Sequence, residues 1–195
     1  MSRIPYVIEK GAKGEERAYD LFSRLLKDRI IFVNGKFSPE MADSIVAQLL
    51  FLEASDPDQD VFMYINSPGG LISSMYAIYD TMNYIRPDIV TVGYGVVMSA
   101  GSFILAAGTK GKRFALPNTD IMIHEFSSGS QGKFNDIKIE YQQLEILHDK
   151  MAKDYVKMTG QKLKKIKVDM ERDFYMNPEE AKEYGLIDKV EEKRG

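Results

Sequence analysis

The 195-residue chain has no cysteine, which excludes disulfides and thiolate metal sites at once. Histidine is nearly absent: His124 and His148 are the only two, too few for a His-rich metal site. Neither sign of charge dominates. Lys and Arg number 26 against 29 Asp and Glu, a net charge of −3, so no general attraction to nucleic acid or to an anionic membrane is expected. No apolar run approaches the length needed to span a bilayer. The opening stretch "MSRIPYVIEKGAKGEERAYD" offers only "IPYVI" before charges follow, and does not read as a signal peptide. There is no internal repeat, no low-complexity tract and no linker between domains. These absences leave a soluble, cytoplasmic, single-domain protein as the expectation, with one domain over residues 1–195 and enough apolar residues (44 %) for a substantial core.

What is present alternates. "RIIFVNG" is β-rich and stops at a turn. "SPEMADSIVAQLLFLEAS" opens with Ser38 as N-cap, Pro39 at the first helical position and Glu40 in the first turn. Its apolar stripe is Ala42, Ile45, Val46, Leu49 and Leu50. "VFMYI" reads as a second buried strand, broken by "NSPGG"; Leu71, Met75, Ile78, Met82 and Ile85 then recur at helical spacing before Pro87. "DIVTVGYG" is a third strand, followed by a helix from about Ser99 to Gly108. This order argues for an α/β unit with a mostly parallel sheet. "KRFALPNTDIMIH" adds two short strands around a Pro-Asn turn, and "EFSSGSQGKF" a polar loop. A long helix follows, capped by Asn135 or Asp136 and closed by Gly160, with Ile139, Leu144, Leu147, Met151 and Tyr155 among its apolar positions. It suits packing on another subunit or on its own core equally well. "NPEEAKEYG" is a short capped helix and "LIDKV" a last strand.

Loops after parallel strands are where α/β folds hold ligands, and two such junctions stand out. "NSPGG" ends in Gly69 and Gly70, which turn backbone N–H groups outward in conformations other residues resist, or simply make a tight turn. "GVVMSAG" carries Ser99 at a strand-to-helix junction, where a serine is either a helix cap or a nucleophile near the positive end of a helix. A nucleophilic serine needs a base. His148 lies within the long helix and reads as a surface or interface residue; His124 ends "IMIH" at the rim of the sheet, where a base faces Ser99. The orienting acid stays open at this point among Asp120, Asp136, Asp149, Asp173 and Asp188. The motif is not G-x-S-x-G, since Val97 holds the first glycine's place, so this is not the nucleophile elbow of an α/β-hydrolase. P-loop and G-x-G-x-x-G fingerprints are missing as well.

The stretches "AYDLFSRLLKDRIIFVNG", "YINSPGG", "AIYDTMNYIRPDIVTVG", "GTKGKRFALPN", "MIH" and "ERDFYMNPEEAKEYGLID" are long, specific and in order. Through them the chain resembles the ClpP family, the proteolytic subunits of the Clp protease, over nearly its whole length. The resemblance implies an α/β ClpP/crotonase-like fold of repeated β-β-α units with a projecting handle over about residues 125–158, and a serine endopeptidase that acts on unfolded polypeptides through an acyl-enzyme. It assigns the nucleophile to Ser99, the base to His124 and the orienting acid to Asp173. The oxyanion hole falls on the amides of Gly70 and Ala100. No cofactor or metal is implied. The family further implies two stacked heptameric rings, fed by a Clp-family ATPase unfoldase. Arg172 resembles an arginine linking ring contact to the active site. Phe62, Tyr64 and Tyr84 match aromatic positions where the ATPase docks, or are ordinary core. The first residues, to about Glu16, resemble axial gating loops.

The chain departs from the family around the site. "MSAG" stands for the usual "ASMG", so Ala100 follows the nucleophile and Met98 precedes it, which bears on the shape of the substrate pocket. "HEF" stands for "HQP", adding the carboxylate of Glu125 beside the base, and "SSG" replaces a Gly-Gly in the handle. These changes suggest a divergent paralogue, in homomeric or mixed rings. The alternative to an active peptidase is a weakly active structural or regulatory subunit of a mixed complex. A third reading, acyl-CoA chemistry on the wider crotonase-like fold, is disfavoured by the triad.

Overall fold

A computed structural model describes residues 5–10, 14–129 and 131–193. The chain opens with a hairpin of β1 (Tyr6–Lys10) and β2 (Glu16–Asp20), paired antiparallel. Much of the segment read as a gating loop is therefore strand; residues 1–4 and 11–13 of it lie outside the described residues. The carboxylate of Asp20 accepts from Ser23 N at 3.0 Å and starts α1 (Leu21–Lys27).

The body alternates as the sequence pattern predicts: β3 (Ile30–Asn34), α2 (Pro39–Ser55), β4 (Val61–Ser67), α3 (Ile72–Tyr84), β5 (Ile89–Met98), α4 (Ala100–Ala106), β6 (Arg113–Ala115) and β7 (Asp120–Ile123). Ser38 caps α2 by accepting from Met41 N at 3.3 Å, with Pro39 in the first turn. Ala42, Ile45 and Leu49 are buried as expected; Val46 is only partly covered and Leu50 is exposed, because Leu52 completes the inward stripe instead. In α3 the buried side is Met75, Ile78 and Met82, and Ile85 just beyond it is buried too. Leu71 departs from that stripe. It is the N-cap residue, half exposed, and faces the cavity described below.

The chain then runs through α5 (Phe134–Thr159), α6 (Leu163–Met170), β8 (Phe174–Met176), α7 (Pro178–Tyr184) and β9 (Lys189–Val190). The N-cap of α5 is Lys133, so Asn135 and Asp136 lie inside its first turn rather than capping it; Gly160 closes it in the left-handed conformation. At about 1.5 Å per residue α5 is roughly 39 Å long. Only its C-terminal half packs on the core, through Met151, Ala152 and Tyr155, whereas Ile139 is exposed. Asn177 and Glu180 form a reciprocal capping box on α7.

Seven strands make the main sheet, with β3-β4-β5-β6-β9 all parallel. On the edge away from β4, β5 serves two partners: Thr91–Gly93 pair with β6, and Val96–Met98 pair with β7. The change of partner occurs at Gly95, whose φ of 63° bends the strand, while Asn66 Oδ1 accepts from Val96 N at 3.2 Å across the register shift. β8 is the one antiparallel member, paired with β7. α4 is buried along its entire length, with Phe103 in edge contact with Tyr76, Tyr79 and Tyr155. That is why its sequence is apolar on every side.

Candidate active site

Strand register brings the candidate residues to one end of the sheet. Met98 lies abreast of Met122 in the parallel β5–β7 pair, and Ser99 N donates to Met122 O at 3.0 Å. Ile123 lies abreast of Phe174 in the antiparallel β7–β8 pair, so His124 and Asp173 leave the ladder side by side. His124 Nδ1 is 2.9 Å from Asp173 Oδ1. Of the five aspartates open in the sequence, Asp173 is the one at this ring; Asp188 is bound to Arg113 and Asp149 to Lys167.

Ser99 precedes α4 but does not cap it. Its φ of 55° and ψ of −121° fall where L-residues are strained, and its hydroxyl makes no cap hydrogen bond. The backbone around it is pinned instead. Ser99 O accepts from Phe103 N at 3.0 Å, and the buried Ser102 Oγ lies 2.8 Å from Ser99 O and 2.7 Å from Met122 O. Behind Ser102 stands Tyr155, its hydroxyl 3.5 Å from Ser102 Oγ; burial pushes that phenol well above its ordinary range and keeps it protonated. Strain at a serine on a tight strand-to-helix turn is thus reached without G-x-S-x-G. Sequence reading, which allowed a cap, missed it, because neither pattern nor propensity reports a φ angle.

The Gly69-Gly70 turn is more than a tight turn. Ser67 Oγ accepts from Gly69 N at 3.0 Å and donates to Gly35 O at 2.5 Å, and Phe37 N donates to Gly69 O at 2.9 Å. A Cβ on Gly69 would lie 2.6 Å from Ser99 Cβ, and one on Gly70 2.5 Å from the Phe37 backbone. Among the described residues, the N–H groups of Gly70 and Ala100 enter no hydrogen bond. Gly70, Ser99, Ala100 and His124 all line one cavity of about 790 Å³, walled by Leu71, Ile72, Met75, Phe126, Leu144, Met151 and Tyr155. Ala100, not Met98, forms its wall.

Gly69→Ala is expected to lower any Ser99-dependent turnover by about 100-fold, the order of effect of a 1 Å misplacement of a reacting group. The added methyl has nowhere to go but against Ser99, and φ is +100° there. Comparing kcat of the variant and parent on a short fluorogenic peptide checks this; a variant within threefold would contradict the close approach.

A family model described as Clp protease matches residues 13–194. The chain belongs to the Clp protease family. Its fold is the ClpP type of α/β domain, and the family's chemistry is that of a serine peptidase. No helix among the described residues is long and apolar enough to cross a membrane, and no group of three or more His, Asp or Glu there is arranged to hold a metal.

The other residues singled out in this Clp-family chain are dispersed. Arg172 is exposed and shares a shallow second cavity with His124, Glu125 and Asp173. Phe62 and Tyr64 lie on one face of β4, both half-buried. Phe62 lines a surface hollow with Phe51 and Leu26, while Tyr64 stacks on Phe32 at 5.7 Å. Tyr84, at the end of α3, is 80 % exposed and therefore no core residue.

Proposed function

We propose that this chain is a serine endopeptidase in which Ser99 is the nucleophile, His124 the general base and Asp173 the group that orients it. The observation that carries the reading is the convergence of a strained, uncapped Ser99, two unengaged N–H groups and an Asp173-bound His124 on one cavity. With Nδ1–H donated to Asp173, Nε2 of His124 is left to accept the Ser99 proton as the hydroxyl attacks a peptide carbonyl. The N–H groups of Gly70 and Ala100 meet the oxyanion, each donor worth about 10²–10³ in rate. His124 then protonates the leaving amine, and water releases the acyl group by the reverse roles. The apolar walls favour extended polypeptide with large apolar side chains. Replacement of the family's Met by Ala100 leaves the backbone donor in being.

The assembly that fits this reading is a pair of stacked heptameric rings, homomeric or mixed with a second ClpP-type subunit. The uncovered N-terminal half of α5 would serve as the ring-to-ring handle and Arg172 would join that contact to the site. A Clp-family ATPase would deliver unfolded polypeptide, docking where Phe62, Tyr64 and Tyr84 are accessible, in the cytoplasm. The altered "MSAG" and "HEF" motifs fit a divergent paralogue.

Incubation with a fluorophosphonate probe tests the chemistry. Labelling is expected at Ser99, read by peptide mass, and absent in Ser99→Ala. An assembled tetradecamer that stays unlabelled would overturn the reading in favour of a weakly active structural or regulatory subunit.

A further inference from the structure

The backbone that leaves His124 is held from outside the site. Glu125 donates its N–H to Met170 O at 2.7 Å, and its side chain reaches the middle of α5, where Oε2 lies 3.5 Å from Nε2 of His148. Phe126 meets the same imidazole edge-on, with ring centroids 6.2 Å apart, and also lines the cavity of Ser99. Both residues that follow His124 therefore end on one side chain. Next to His148, Asp149 is tied to Lys167 of α6 at 2.6 Å, which fixes this part of the helix.

We propose that His148 is a positioning residue for His124. Through its 3.5 Å contact with the Glu125 carboxylate and its ring contact with Phe126, it sets the path of the chain beyond β7 and with it the direction of the His124 imidazole. The need for such a tether is visible at His124 itself. β7 ends at Ile123, so His124 stands outside the ladder, and its ring is gripped at Nδ1 by an Asp173 side chain that is 55 % exposed. A ring held at one nitrogen keeps freedom about that bond unless the following peptide is fixed. Because the His148 and Glu125 side chains are 28 % and 53 % exposed, their pair contributes little to stability. Removing it leaves the fold standing and changes mainly geometry. This inference rests on the assignment of His124 as the base.

The test uses Glu125→Gln, His148→Gln, the double variant and His148→Lys in the full-length assembled protein. Each single Gln variant is expected to lower kcat on a short fluorogenic peptide about fivefold with KM unchanged, a fraction of the cost of a full misplacement. The double variant should be no worse than His148→Gln alone, since Glu125→Gln removes only a contact that His148→Gln already removes. His148→Lys, which offers the Glu125 carboxylate a donor but gives up the ring contact with Phe126, should recover part of the loss. A second readout does not depend on turnover. With only two histidines in the chain, the His124 Nδ1–H is assignable in a ¹⁵N-histidine spectrum, and it should broaden through faster solvent exchange in His148→Gln. Additive losses, an unchanged kcat, or an unchanged His124 signal would each overturn the proposal. Absence of probe labelling in the parent protein would instead strike the peptidase reading, while the spectrum still decides the positioning of His124.

Discussion

Asp173→Asn is expected to lower kcat for peptide hydrolysis by about 10³, and Asp173→Ala by less. Asparagine keeps the size of the side chain but places an NH₂ group or a neutral carbonyl 2.9 Å from His124 Nδ1. With the NH₂ facing the ring, Nδ1 becomes the acceptor and Nε2 carries the proton, so the base is in the wrong tautomer for Ser99. Alanine imposes no tautomer. Asp173 is 55 % exposed, so water enters its place, accepts from Nδ1–H and preserves part of the base's function. The same exposure sets the magnitude. A deeply buried triad aspartate is worth about 10⁴ through orientation and charge together, but here solvent screens the charge and leaves mainly the orienting effect. Steady-state kinetics on the assembled variants, with ring formation checked by native mass spectrometry, decide the matter. Equal losses in the two variants would mean that Asp173 acts through charge rather than tautomer. A loss below tenfold in both would remove Asp173 from the proposed triad.

The parts of this molecule that the sequence displays are those governed by local chemistry. Ser38-Pro39-Glu40 and Asn177-Pro178 announce α2 and α7 because cap and first-turn preferences act within four residues. Gly160 and Gly185 announce helix ends because a left-handed residue is needed there. Ser99 and His124 stand out because a lone serine at a strand-to-helix junction and a strand-end histidine are rare in a chain with two histidines. What stays hidden depends on pairing across the chain. β8 has three residues, too few to show a period, yet its antiparallel register against β7 is what brings Asp173 to His124. Spacing alone leaves five aspartates open, and only the family resemblance chose among them. α6 shows too few buried positions, Ile166 and Met170, to be read as a helix through its lysines. Lys133, rather than Asn135 or Asp136, is the N-cap of α5 although it offers no side-chain acceptor, because the helix starts two to three residues further back than cap preference suggests. The role of Gly69 is invisible for the same reason: the atom it must avoid, Ser99 Cβ, belongs to another loop.

Arg113→Met is expected to destabilise the fold by about 3–5 kcal/mol, the range for breaking a buried charged pair by removing one partner. Arg113 is 3 % exposed, and its guanidinium ties together the ends of three helices. Nη1 donates to Met158 O and Gly185 O at 2.9 Å and to Ala106 O at 3.3 Å, carbonyls at or beside the C-terminal ends of α5, α7 and α4. A cation at converging helix C-termini also meets the negative ends of their dipoles. Nε and Nη2 bind the two oxygens of Asp188 at 2.9 and 2.7 Å. Burial would raise the Asp188 carboxyl, but the hydrogen bonds and charge of Arg113 overcome it and hold the group below the usual aspartate value. A carboxylate depressed in the folded state stabilises the fold above its unfolded value, near pH 3.9, and that contribution disappears as pH falls through the folded value. Methionine fills the volume but leaves three carbonyls without this donor and strips the Asp188 carboxylate of its cation, with only the backbone N–H groups at positions 111 and 113 still bound to it. Because α4 begins directly after Ser99 and α5 carries Tyr155 behind it, loosening their ends also loosens the site. Differential scanning fluorimetry should show Tm lower by roughly 10 °C at neutral pH. The gap to the parent should narrow once the pH drops below about 4, where the parent loses the Asp188 contribution that the Arg113 side chain supplies and the variant has only the smaller part from the backbone N–H groups at positions 111 and 113 to lose. A gap that stays constant across that range would mean that the Arg113 contacts with the helix ends, not the pair with Asp188, carry the stabilisation.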